Sequence, residues 1–235
     1  MRRAALGALA LVALLGGATT AGAQAVRVLA SETLPATVPA QATHTLRLSL
    51  YAFEQTRWNI AEVRAAVGVA LAILTQCGIG VRQADLFTLA APRRLRFFSN
   101  TLARELLGAL DVPRPAVFFV DDTRNNPAFD AEAIGVANSA TRPMLANTVW
   151  VAHGARDLGV TLAHELVHVL ADSDEHSTAP GNLMREDTAP ENLRLDAAQC
   201  ERLRARGVAN GLLGMPGGPE AARGTNLAPV PSRNR

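Results

Sequence analysis

The sequence predicts one layered domain of mixed α and β structure, an α/β or α+β arrangement, and three observations carry that prediction. Segments with period-two hydrophobicity alternate with segments whose apolar residues recur at helical spacing. They follow one another in the order β-α-β-α-β, with further strands behind, which is the order of a layered domain. Of the 235 residues 49% are hydrophobic, and Lys+Arg 23 stand against Asp+Glu 21, so the chain can bury a core and carries no marked charge excess.

Each element has its own signal. His44 to Tyr51 alternates strictly and is a strand. Asn59 to Gln76 places Ile60, Val63, Val67, Leu71 and Leu74 on one helical face, and Cys77-Gly78 stops it. Ile79 to Leu89 reads as a strand, and Ser99 to Leu110 as a helix capped by Ser99 or Asn100. Pro115 to Val120 is a short buried strand. Asp121 to Asp130 is a polar loop, and two short strands are expected at Ile134 to Ser139 and Asn147 to Ala152. A buried helix follows from Asp157, its expected N-cap, to Leu170. Thr188-Ala-Pro-Glu191 reads as the capping box of a last helix.

The ends of the chain read differently. Met1-Arg2-Arg3, the twelve-residue apolar run Ala4 to Leu15 and the small residues up to Ala25 have the layout of a secretory signal peptide, cleaved after Ala23 or Ala25. The run is too short to span a bilayer comfortably, so no stable membrane insertion is expected after cleavage. The expected organisation is a signal peptide over 1–25, an extended Ala-, Pro- and Thr-rich leader over 26–41, one domain over 42–210 and a flexible Gly- and Pro-rich tail over 211–235. Export implies a secreted or periplasmic protein.

Removal of Arg2 and Arg3 lowers the basic count from 23 to 21, equal to the acids. That balance gives no electrostatic case for binding nucleic acid or an anionic membrane. All 23 basic residues are Arg, so chemistry that needs a lysine amine is excluded. Cys77 and Cys200, an even pair in an exported chain, are expected to form a disulfide worth about 3–5 kcal/mol in the chain-entropy model. A monomer is expected.

Three of the five histidines, His164, His168 and His176, fall within thirteen residues. Within the buried helix lies His164-Glu165-Leu-Val-His168, the pattern H-E-x-x-H. Residues four apart share a helix face, so His164 and His168 can direct two imidazoles at one Zn²⁺ ion. Glu165, one step round, can then act as general base on the water such an ion holds. Leu162, Ala163, Leu166, Val167, Val169 and Leu170 surround these polar groups, whose burial is costly unless something satisfies them. A catalytic zinc takes three protein ligands and leaves a place for water. The third candidates are His176, Asp174 and Glu191. His176 is expected because imidazole suits zinc.

The stretch Thr161 to Met184 resembles the metzincin clan of zinc endopeptidases, whose pattern is H-E-x-x-H-x-x-G-x-x-H followed by a turn containing Met. This chain departs from it at Ala171, where the clan has glycine, and at Asp174, where it has the third histidine. The resemblance implies a mixed sheet with an active-site helix, a Met turn at Met184 flooring the metal, and a C-terminal helix beyond it. It also implies a sheet edge, expected at Ile134 to Ser139, that binds extended peptide. The expected function is therefore that of a secreted zinc-dependent endopeptidase using a zinc-bound water, with peptide or protein substrates. The alternative is an exported, non-catalytic module stabilised by zinc, which a closed site using both Asp174 and His176 would favour. Tyr51, the only tyrosine, lies far from the motif in sequence, and His44 and His153 are given no role. The Arg93, Arg94, Arg96 cluster reads as a solvated face, and Arg202, Arg204 and Arg206 suit the negative end of a helix.

Overall fold

The structure, a computed structural model, describes residues 25–35, 38–124 and 130–217. Residues 1–24, nearly all of the expected signal peptide, and 218–235, most of the expected tail, lie outside the described residues, as does 125–129 at the centre of the expected polar loop. In chain order the elements are β1 (Arg27–Leu34), β2 (His44–Phe53), α1 (Ile60–Leu74), β3 (Ile79–Ala90), β4 (Phe97–Phe98) and α2 (Asn100–Gly108). There follow β5 (Ala116–Val120), β6 (Asp122–Thr123), β7 (Ala131–Ile134), β8 (Thr148–Ala152), α3 (Leu158–Ala171), α4 (Ala197–Ala209) and β9 (Leu213–Gly214). The main sheet runs β1-β3-β2-β5-β8-β7, with β9 paired to β2. Its centre is parallel and both edges, β1 and β7, are antiparallel to their neighbours.

Helices cover both faces of the parallel centre, which explains why β5 reads as a continuous apolar run instead of an alternating one. Val117 and Phe119 of β5, with Val149 and Val151 of β8, join α1, α3 and α4 in one core. Phe118, Trp150, Tyr51 and Phe53 join α2 in the other. Tyr51 is thus a stacking residue between Phe87 and Phe118, buried in the sheet. On the first face α1 packs directly on α3, and Gly159 permits it: a Cβ there would stand 2.7 Å from Val69 Cβ.

Several elements differ from their sequence-based boundaries. The strand expected at Ile134 to Ser139 is instead β7 over Ala131–Ile134, and Ala137–Ser139 is a 3-10 turn. Asp157 holds the N-cap position of α3 in the left-handed region (φ 47°) and makes no side-chain cap bond; its carbonyl receives Val160 and Thr161 instead. The last helix does not start at Thr188 to Glu191. It starts at Ala197, where Asp196 and Gln199 form the capping box. The leader supplies β1, and Gly211 to Gly214, expected in the tail, carry buried Leu212 and Leu213 into the core. Arg96 is not solvated: it lies 3.7 Å from buried Asp121. Arg94 pairs with Glu105. Cys77 and Cys200 are bonded, tying the start of α4 to the turn after α1.

Candidate metal centre

Helix α3 places His164 and His168 one turn apart, on the face toward β7 and the cleft. Their Nε2 atoms are 2.9 Å apart. Each ring is oriented through its other nitrogen: His164 Nδ1 donates to the Leu183 carbonyl at 2.9 Å, and His168 Nδ1 to the Ser173 carbonyl at 2.7 Å. A carbonyl can only accept, so each Nδ1 bears the proton and each Nε2 presents a lone pair. Two lone pairs at that separation repel unless a cation or proton lies between them.

His176 completes the set. Its ring centroid is 5.3 Å from that of His164 and 4.9 Å from that of His168, and one ligand atom from each of the three lies within 4.8 Å of the others. Asp174 and Glu191 are exposed and outside this group, although Asp174 lines the same cleft. The displacement of the third histidine has a local cause. Ala171 stays helical, and the left-handed residue that ends the helix is the next one, Asp172 (φ 49°). Its N–H caps the His168 and Val169 carbonyls. Aspartate tolerates this conformation better than most side chains. Asp172 Oδ1 also accepts the Ala137 N–H at 2.7 Å, tying the helix exit to the turn after β7.

Burial keeps His164 and His168 neutral. It holds the His164 imidazole below its ordinary range, with the Leu183 carbonyl opposing and His176 adding to the fall. Burial, then His164, push His168 down to about 4. Glu165 moves the other way: burial raises its carboxyl to about 8, the Glu132 carboxylate adds to the rise, and a hydrogen bond from the Ala133 N–H opposes it. Two neutral imidazoles, each oriented by a backbone carbonyl, with the His176 ring beside them, are a donor set that fits zinc.

The site opens into a cleft of about 700 Å³ between β7, α3 and residues 186–188. Among the described residues, β7 is the edge strand of the sheet here. Ala152 N–H bonds the Asp130 carbonyl, and the antiparallel alternation from that pair leaves Ala131 and Ala133 with their backbone groups pointing away from β8. The Ala133 N–H meets Glu165, and its carbonyl accepts Asn138 Nδ2 at 3.3 Å.

Met184 is buried, and with His168 and His176 it lines a smaller cavity of about 230 Å³. Its turn is fixed by Asn182, a residue the sequence reasoning passed over. Asn182 Oδ1 accepts the Met184 N–H at 2.8 Å and Gln199 Nε2 at 3.1 Å, and Asn182 Nδ2 donates to Gln199 Oε1 at 2.9 Å. An Asn two residues before a buried Met is an Asx-turn signal that could have pointed to it. His153 is exposed at a strand end and packs edge-on against Trp58, and His44 bonds Thr43. Neither belongs to the site.

No protein-family model matches the chain, and no curated protein matches it. Among solved structures, the crystal structure of archaemetzincin from Methanopyrus kandleri aligns with it at 12% identity and a TM-score of 0.48, over 72% of this chain and 98% of that one.

Proposed function

We propose that this chain is an exported, zinc-dependent, metzincin-like endopeptidase. The observation that carries the proposal is the convergence of His164, His168 and His176 beside Glu165 at the free edge of a sheet. Zinc, when bound by the three imidazoles, supplies a Lewis acid that polarises a peptide carbonyl and acidifies water.

The protein's own groups do the rest. Strand β7 offers outward backbone groups at Ala131 to an extended peptide, which takes it up as an added strand. Glu165, in the same cleft, accepts a proton from the attacking water and passes it to the amine nitrogen as the C–N bond breaks. Asn138 and Glu132 flank the edge, the latter held by Arg142 at 2.9 Å. Export accords with the Cys77–Cys200 disulfide, which belongs to an oxidising compartment. A closed, purely structural site would need a fourth protein ligand, and Asp174 stands outside the histidine group.

The test is Glu165→Gln. The variant is expected to retain one equivalent of zinc and to lose at least about 10²-fold in peptide turnover, the usual contribution of a positioned general base. Turnover equal to the unaltered protein would remove the proposal.

A further inference from the structure

The charge around the cleft does not follow from composition. The chain carries 23 basic and 21 acidic residues, yet beside Glu165 the cleft is lined by Asp130, Glu132, Asp172, Asp174, Glu186 and Asp187 and by one cation, Arg156. Two of these carboxylates are committed: Glu132 to Arg142, and Asp172 to the Ala137 N–H. Asp130, Asp174, Glu186 and Asp187 are exposed and take part in none of the salt bridges among the described residues. Arg142 aside, the arginines that pair find acids elsewhere, as in Arg64–Glu32, Arg94–Glu105 and Arg202–Glu175.

These four carboxylates bracket the histidines along the direction a bound peptide would take. Asp130 immediately precedes β7, next to the start of α3, where Arg156, Glu186 and Asp187 also line the cleft. Asp174 lies beyond the end of α3, near the far end of β7, where Asp172 touches the turn at Gly135. Independently of the acids, the outward backbone of β7 marks the cleft as a place for an extended main chain. Side chains of such a chain pass carboxylates on both sides of the metal ligands. A dication at the histidines offsets only part of this charge, and a concave site lined by one sign of charge concentrates ligands of the other.

Resting on the peptidase reading of this cleft, we infer that its substrates are cationic peptide segments, with arginine or lysine on both sides of the bond that is cut. Each carboxylate is exposed, so the preference is a summed field effect and is sensitive to salt.

The experiment uses the full mature chain, loaded with zinc and carrying Glu165→Gln, so that binding is read without cleavage. Fluorescence anisotropy compares a labelled peptide with arginine at alternate positions against a matched peptide with glutamate in their place, at about 50 mM and about 500 mM NaCl. The arginine peptide is expected to bind at least about tenfold tighter at low salt, and the difference to collapse at high salt. It is expected to fall below about threefold when Asp130→Asn, Asp174→Asn, Glu186→Gln and Asp187→Asn are combined. If the combined variant does not fold, Glu186→Gln with Asp187→Asn alone must lower the preference by at least about twofold. Equal binding of the two peptides, or a preference untouched by neutralisation, overturns the inference. Turnover of both peptides by the unaltered protein separates the two claims. Cleavage without charge preference sinks the cationic specificity alone, whereas charge-selective binding without cleavage sinks the peptidase reading alone.

Discussion

Asn182 links α4 to the turn beside the candidate ligands, and Asn182→Ala measures that connection. The side chain is buried at 5% exposure and makes three hydrogen bonds, one to the Met184 N–H and two with the Gln199 amide. Truncation leaves the Met184 N–H buried without an acceptor and frees Gln199 Nε2, while Gln199 Oε1 keeps the Asp196 N–H. An orphaned buried donor costs about 1–3 kcal/mol, and the lost amide volume adds to it, so the metal-free domain should lose about 2–4 kcal/mol in urea unfolding. Leu183 lies between Asn182 and Met184, and its carbonyl orients His164. Loss of such an orienting partner typically lowers metal affinity by about 10–100-fold, readable by zinc competition with a chelator. Asn182→Asp keeps both accepting contacts and should lose less on both measures. A variant destabilised to the expected extent but with unchanged zinc affinity would show that Asn182 only supports the fold, and would refute the connection.

Other outcomes follow from single features. Reduction of the Cys77–Cys200 bond, whose partners are 123 residues apart, should cost about 4–5 kcal/mol in the chain-entropy model, seen as a lower urea midpoint with reductant. Gly159→Ala should destabilise by about 1–3 kcal/mol despite the better helix propensity, because its Cβ meets Val69 Cγ1 at 2.8 Å; a raised Tm would contradict the packing of α1 on α3. In metal-free protein two titrations oppose each other. The folded-state pKa of His168, about 4, lies below its unfolded value, so the unfolded chain binds the extra proton and stability falls as pH drops from about 7 towards 4, by up to about 3 kcal/mol. Glu165, at about 8, lies above its unfolded value, so it favours the fold at low pH and that contribution is lost as pH rises from about 4.5 to 8. Unfolding of metal-free Glu165→Gln should therefore show a steeper gain between pH 4 and 7 than the unaltered chain; identical slopes would reject the assignment.

Local patterns in the chain were sufficient for the elements whose stability is local or uniformly apolar. The face of α1 is written in Ile60, Val63, Val67, Leu71 and Leu74, and β5 in a run buried on both sides. His164 and His168 were legible for the same reason, since helical spacing alone brings residues four apart to one face. Where the boundary depends on partners distant in sequence, the chain could not give it. Strand β7 ends at Ile134 because Asp172, from the end of α3, takes the Ala137 N–H into the turn that follows. The tail joins the core because Leu213 meets Leu46 of β2.

The same division runs through the site. Two imidazoles and a carboxylate on one helix, a choice of three further ligands and a charge balance close to zero were all legible in the chain. Tertiary structure decided which third group approaches, because Asp172 instead of residue 171 turns the chain out of the helix and brings His176 back over it. It also gathered acids at one cleft from a chain with equal numbers of both signs in its expected mature form. Net charge is a sum over the chain, whereas the field in a cleft depends on which residues the fold places around it, and only long-range contacts fix that.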